Sequence, residues 1–312
     1  MTENANYERF NKNWVSIFAV LSLLYWMWFG LVVGVDELNL VFYFLFLVLA
    51  FSTLGSRKVF VVFSPFFIYL LFYSSLKVLH KYNVFKIRIQ ELYDLEKSFF
   101  GFTYEGEVIT ANEYFLDHIN VFSDLFAGAS YFTWVPFPVL FVFYFIYKQR
   151  PEIGFQYWIA FLIANLLGFI GYITYPAAPP WYFIEYGNQL IVDLKGSAAG
   201  LERFDDLLGI SLYRVMYSEG TYTFGAVPSM HAAFPMMLTY FSIKFGRKWL
   251  TLLAFTSMIG IWYGAVYTSH HYILDIILGI VCGIIALITT ESLINRKFVL
   301  KWYDSAMKFI KA

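Results

Sequence analysis

The sequence has one cysteine, Cys282, among 312 residues. That excludes an internal disulfide and a metal cage built on cysteine. Charge is scarce too: Lys, Arg, Asp and Glu make up 14% of the chain, where a soluble domain carries about 25%. The charges balance at 22 basic and 22 acidic, so nucleic acid is not indicated as a partner. There is no internal repeat and no low-complexity linker. The apolar runs do not alternate with period two, which argues against a β-barrel. No Asn-x-Ser/Thr sequon occurs, which fits a bacterial protein. Apolar residues, by contrast, reach 60% and aromatics 22%, too many for a disordered chain. A polytopic helical membrane protein remains.

A crossing helix needs about 20 mostly apolar residues. Eight stretches are predicted to supply one: 14–34, 38–54, 59–76, 129–147, 154–175, 228–243, 249–268 and 271–291. The second, third and sixth are short. No cleavable signal peptide is evident, since no small-residue cleavage site follows the long first run. The chain reads as an all-α bundle with two long inserts, 77–128 and 176–227. The division expected is 1–128, N-terminal helices plus the first insert, and 129–312, the catalytic core. A quarter of the first insert is charged, so it is expected to meet water, with an interfacial helix where 84–95 alternate apolar and polar residues. With the N-terminus in the cytoplasm, fourteen Lys and Arg fall inside and eight outside, the eight all in the long inserts. Both termini are therefore placed in the cytoplasm. Both inserts and the turn at 269–271 face the periplasm, exterior or lumen, and a bacterial inner membrane is the expected location.

Five histidines exist: His80, His118, His231, His270 and His271. The last three fall at predicted helix ends on the same side of the membrane. Ionisable groups there are costly and mark function. His271 and Asp275 are spaced i, i+4 and share a helix face. A carboxylate beside an imidazole fixes its tautomer and leaves the other nitrogen free to attack. The competing reading is an intrahelical pair that neutralises two buried groups. Pro228-Ser229-Met230-His231 opens a helix, with Pro228 suited to the first turn. The N–H groups of Ser229, Met230 and His231 are then predicted to cradle an anion such as phosphate. His231 beside it would hand a proton to a leaving oxygen. A capping serine next to a packed histidine is the plainer alternative. Metal binding competes for the same residues, but His270 and His271 are adjacent and point about 100° apart on a helix. Five histidines are also too few for the boxes of a membrane hydroxylase.

Pro228-Ser229-x-His231 and His271-x-x-x-Asp275 resemble the second and third signatures of the type 2 phosphatidic acid phosphatase superfamily. The closer resemblance is to its inositol phosphorylceramide synthase branch. It is carried by residues 175–182 (YPAAPPWY), by Gly196-Ser197-Ala198-Ala199-Gly200-Leu201-x-Arg203-x-Asp205, by 224–231 and by His270-His271-Tyr272. It covers about 175–279. The resemblance implies a six-helix core preceded by an N-terminal pair. It implies that His271 attacks phosphorus to form a phosphohistidine, supported by Asp275. His231 would protonate the leaving group and deprotonate the acceptor. No metal or other cofactor is implied. The sequence departs from the family at the lysine–arginine first signature: Lys148-Gln149-Arg150-Pro151 has the wrong spacing and lies on the cytoplasmic side. Met230 stands for the usual glycine, and Gly264-Ala265 for the serine–arginine pair. Positive charge for the phosphate is therefore assigned to Arg203, a bidentate donor, oriented by Asp205. A surface salt bridge with Asp205 or Asp206 is its alternative. Ser229, Met230 and His270 are expected to touch substrate, and Trp181 and Tyr182 to line the lipid's route in or to anchor at the interface.

These residues imply a lipid phosphotransferase. The donor is a phospholipid such as phosphatidylinositol, and the acceptor a lipid hydroxyl such as that of ceramide or diacylglycerol. The alternatives are a lipid phosphate phosphatase with the same site and a transporter without chemistry. A transporter predicts mid-membrane charges, and the helices have almost none apart from Asp275. A CDP-alcohol phosphotransferase needs an aspartate-rich metal motif that the sequence lacks.

Overall fold

The computed structural model describes residues 10–78, 85–191, 194–218 and 222–311. Nearly all of it is helix. The N-terminal unit is α1 (Lys12–Trp28, continued by a π turn at Phe29–Val33), α2 (Glu37–Phe51) and α3 (Leu54–Ser75). Asp36 with Asn39, and Thr53 with Ser56, form reciprocal capping boxes that start α2 and α3. The first insert holds α4 (Gln90–Phe100), a two-stranded hairpin of β1 (Phe102–Tyr104) and β2 (Glu107–Ile109), and α5 (Ala111–Asp117). Next come α6 (Val121–Phe132), α7 (Pro136–Tyr147) and α8 (Pro151–Thr174). The second insert carries three short helices, α9 (Pro180–Tyr186), α10 (Glu202–Leu208) and α11 (Leu212–Ser218). The chain ends with α12 (Met230–Phe245), α13 (Lys248–Tyr267), α14 (Ile273–Ile294) and α15 (Lys297–Lys311).

All eight apolar stretches are helical, but they are not eight equal spans. Among the described residues, five helices are long and apolar enough to cross a membrane, or six if α6 and α7 count as one bent span. Helices α2 and α12 are shorter, at 15 and 16 residues. The stretch expected as one helix over 129–147 is two helices bent by 48°. Pro136 causes the break, because it has no N–H to continue the ladder of α6. The 77–128 insert does not simply meet water: Glu96 and Asp124 are buried, for a reason that lies at the site. The division after residue 128 falls inside α6. His80 lies outside the described residues. His118 stacks on Tyr114 with ring centroids 3.8 Å apart, away from the other histidines.

In lipid there is little hydrophobic drive for helices to associate, so close packing and small residues decide. Helices α8, α12 and α14 pack against one another, with α3 along α8 and α13 along α12. Phe161 of α8 stacks on Phe234 of α12 at 4.2 Å, and the Met230 side chain lies against Gly168. Aromatic pairs of this kind contribute about 0.5–1.5 kcal/mol beyond their buried area. Gly279 of α14 sits directly on the Ser229 carbonyl oxygen: a methyl group there would lie 2.0 Å from it. That contact brings the starts of α12 and α14 together. The amphipathic α15 folds back, burying Tyr303, Met307 and Ile310, and Gln156 of α8 donates to the Tyr303 hydroxyl at 2.7 Å.

Candidate active site

Three segments converge where α12 and α14 begin. Helix α12 starts at Met230 with Ser229 as its N-cap. Pro228 therefore precedes the cap, two positions before the first helical residue, the place expected for it. The Ser229 N–H is not open to an anion, since it donates to the Asp275 carbonyl at 3.0 Å. This leaves the Met230 and His231 N–H groups as donors there. The Ser229 hydroxyl is buried without a hydrogen-bond partner and does not cap the helix.

His271 lies in the turn between α13 and α14, two residues before the helix, so the pair with Asp275 spans turn and first turn. Its Nδ1 is 3.4 Å from Asp275 Oδ2, and its Nε2 is 3.3 Å from His231 Nδ1. The three side chains form a chain, Asp275–His271–His231. The second imidazole is enclosed by aromatics, with the Tyr131 ring centroid 4.8 Å and the Trp134 centroid 5.0 Å from that of His231. His270 points beside them: its Nδ1 is 2.9 Å from the Thr268 hydroxyl, and among the described residues its buried Nε2 lacks a partner of good geometry, with the Ser197 backbone nearby. Burial pushes the His271 imidazole down to about 4, with the Ala226 backbone opposing the shift. The ring is therefore neutral at physiological pH and carries a lone pair.

Sequence reading missed the residues that hold this turn. Glu96, on α4, is fully buried, and its two carboxylate oxygens accept from the Ile273 and Leu274 N–H groups, each at 3.0 Å. Asp275 Oδ2 accepts from the Tyr272 N–H at 2.9 Å. Two carboxylates thus take the first three free donors of α14 and complement its positive end. Burial raises the Glu96 pKa, and the nearby Asp275 adds to that; the two N–H donors counter it. Asn112, from α5, donates to the carbonyls of Val266 and His271 at 3.0 and 3.1 Å, pinning both ends of the turn. The only signal in the sequence was a carboxylate among many in a charged run.

Arg203 is placed differently from expectation. Its Nε donates to Asp124 Oδ1 at 2.6 Å, and its guanidinium lies over the Tyr267 ring, 5.0 Å from the centroid. Asp124 orients it, not Asp205. The Asp205 carboxylate accepts from the Tyr213 and Arg214 N–H groups at 3.1 and 3.0 Å and so caps α11. Arg203 stands one layer back from the cavity, and its Nη2 is buried without a partner. Trp181 lines the cavity, with its N–H on the Ser269 carbonyl. Tyr182 does not: it is fully buried, donating to the Gln189 carbonyl and accepting from the Ile191 N–H, both at 2.8 Å. Lys148 and Arg150 lie at the far end of the 24-residue α8, about 36 Å from its other end.

The cavity in front of the histidines has a volume of about 220 Å³. Met230, His231, His270 and His271 form one wall of it. Tyrosines from α3, α8 and the second insert, with Trp134, Trp181 and Asn165, form much of the rest. Among the described residues, none that lines it is Asp, Glu, Lys or Arg.

A helical membrane bundle with two histidines in contact, one of them backed by an aspartate, defines a membrane enzyme of the phosphoryl-transfer class. The chain belongs to the PAP2 superfamily, whose pattern matches residues 90–289. It is 37% identical to the phosphoinositol dihydroceramide synthase of Bacteroides thetaiotaomicron over 89% of this chain and 92% of that one. It is 34% identical to the inositol phosphorylceramide synthase catalytic subunit of Saccharomyces cerevisiae, over 46% of this chain and 37% of that one. It is 31% identical to the inositol phosphorylceramide synthase of Candida albicans, over 51% and 36%. No solved structure matches. The family match includes α4 and α5, which carry Glu96 and Asn112.

Proposed function

We propose that this multi-pass membrane enzyme is a lipid phosphotransferase that moves phosphoinositol from phosphatidylinositol to ceramide or dihydroceramide. The observation that carries this reading is the Asp275–His271–His231 chain opening into an uncharged, tyrosine-rich cavity. His271 Nε2 attacks phosphorus, and the bond from phosphorus to the glycerol oxygen breaks. His231, protonated once the anionic phosphodiester lies beside it, gives its proton to that oxygen, and diacylglycerol leaves. The phosphoinositol group is then held as a phosphoramidate on His271 Nε2, and the His271 Nδ1 proton faces Asp275. The acceptor hydroxyl gives its proton to the now neutral His231 and attacks phosphorus, and the bond to His271 Nε2 breaks. Charge and atoms return to their starting state without a metal ion.

The phosphate is received by the N–H groups of Met230 and His231 and by His270 Nε2. Arg203, one layer back, adds positive potential rather than a direct contact. A phosphodiester suits this wall, because it carries less charge than a phosphomonoester and the described residues offer the cavity no lysine or arginine. The tyrosine hydroxyls opposite suit a neutral polyol. The catalytic unit in this reading reaches back from the 129–312 core to take in the insert from residue 90. The site faces away from the cytoplasm, with both termini inside.

The test is a detergent-micelle assay of wild type and His271→Ala with labelled phosphatidylinositol, with and without ceramide. Labelled phosphoinositol ceramide from wild type alone supports the reading. Water-soluble inositol phosphate in its place makes the protein a hydrolase. Equal turnover by both proteins removes His271 from the chemistry.

A further inference from the structure

One polar residue of the cavity wall has no part in the mechanism above. Asn165 sits in the middle of α8, is 2% exposed, and lines the cavity together with His231. Polar side chains at such a depth are costly and are retained for function. Its position relative to His231 follows from helix packing. Phe161 stacks on Phe234, and Gly168 lies against Met230. Asn165 falls between these two contacts, so it faces the turn of α12 that carries His231.

Its chemistry is fixed as well. Nδ2 donates to the Phe161 carbonyl at 2.8 Å. A carbonyl can only accept, so this bond turns the other end of the carboxamide, Oδ1, toward the cavity. No donor reaches Oδ1 among the described residues. The tyrosine hydroxyls nearby both donate and accept, so they do not discriminate. Asn165 Oδ1 only accepts.

The geometry points to Asn165 as the residue that selects the acceptor lipid. This rests on the transfer reaction proposed above. Ceramide and diacylglycerol each present a primary hydroxyl to His231. Next to it, ceramide carries an amide N–H and a secondary hydroxyl, both donors. Diacylglycerol carries only ester oxygens. A lone acceptor at this depth binds the first and is left unpaired by the second. It therefore favours release of diacylglycerol and capture of ceramide, and works against return of the headgroup to diacylglycerol. Rejection of a ligand that leaves a buried polar group unpaired is how such sites discriminate.

The test uses the full-length protein in micelles with labelled phosphatidylinositol. Acceptors are ceramide, its N-methyl and 3-O-methyl analogues, and diacylglycerol, the last read as label exchange. Wild type is expected to use one of the methylated analogues about three- to tenfold less well than ceramide, the range of a neutral hydrogen bond. Asn165→Leu, of similar shape, is expected to raise the ceramide KM by that same factor and to equalise ceramide with its analogue. The kcat for ceramide should hold, and diacylglycerol exchange should rise, because leucine leaves no acceptor unpaired beside it. An equal fall in ceramide transfer and exchange would make Asn165 purely structural and overturn the inference, as would an unchanged ceramide KM. If the leucine variant does not fold, Asn165→Ser, whose hydroxyl both donates and accepts, should lose the preference as leucine would, and wild type with the two analogues still decides. A wild type that exchanges label with diacylglycerol but never labels ceramide removes the transfer reading itself, and this inference with it.

Discussion

At the scale of single residues, the site is a graded series of environments for three side chains. Asp275 is fully buried and lies 3.4 Å from His271, so in the proposed mechanism it orients the ring rather than taking its proton. Asp275→Asn is expected to slow transfer by between about 10² and 10⁴, while the protein still binds lipid and keeps its thermal midpoint within a few degrees. A single-turnover assay of diacylglycerol release checks this directly. Burial holds the His271 pKa at about 4, below the ordinary histidine value of 6.5. The unfolded chain then binds more protons than the folded one between those two values. Stability attributable to His271 is therefore full above about 6.5 and falls as pH drops toward 4. Thermal melts at pH 7.5, 6 and 5 should decline in that order, and His271→Asn should flatten the decline. An unchanged profile in that variant would assign the acid sensitivity to another group. The types and spacing of His231, His271 and Asp275 were legible because each is an ionisable group in an otherwise apolar run. Asn165 was not, since one amide in a helix carries no pattern.

At the scale of elements, two close contacts set the geometry. The first is between α12 and α14, where Gly279 lies on the Ser229 carbonyl. Gly279→Ala places a methyl group 2.0 Å from that oxygen, so the helices must part and the His231–His271 contact opens. Loss of activity together with a lower melting temperature is expected, and the same change at Gly30, where nothing lies within 4 Å, should be silent. The second is the cap that α4 supplies to α14. Glu96→Gln keeps one acceptor of two and loses the charge at the helix N-terminus, an effect of about 1 kcal/mol or more in a buried setting. Glu96→Ala leaves the Ile273 and Leu274 N–H groups buried and bare, and should cost about 2–4 kcal/mol. Denaturation in mild detergent should rank wild type, glutamine and alanine in that order. The capping role was hidden in the sequence for a physical reason. Residue 96 and residue 273 are 177 apart, and burial of a carboxylate is decided by the helix end it meets, not by its neighbours in the chain. The break between α6 and α7, by contrast, was available from Pro136 and was masked by the unbroken apolar run around it.

At the scale of the whole molecule, the bundle was legible from hydropathy alone, and the number of spans was not. Helices α2 and α12 fall below the length of a full crossing, and α6 with α7 makes one bent unit. The proposed orientation can be measured. With Cys282→Ser as background, a cysteine at exposed Glu107 should react with an impermeant maleimide in intact cells, whereas one at exposed Lys308 should react only after lysis. The reverse result would invert the topology. The Glu96 contact also bears on how the molecule is made. The insert is synthesised long before α14, so its carboxylate waits in water until the final core helix arrives and covers it. Until then α4 has only the second insert to pack on, where Tyr93 stacks on Phe183, and the hairpin behind it is more open to cleavage. Protease resistance of residues 90–110 in nascent or truncated chains therefore serves as a clock for biogenesis. It should appear only once residues beyond 275 have left the translocation machinery, and its loss in a mature enzyme would signal that the reaction centre has come apart.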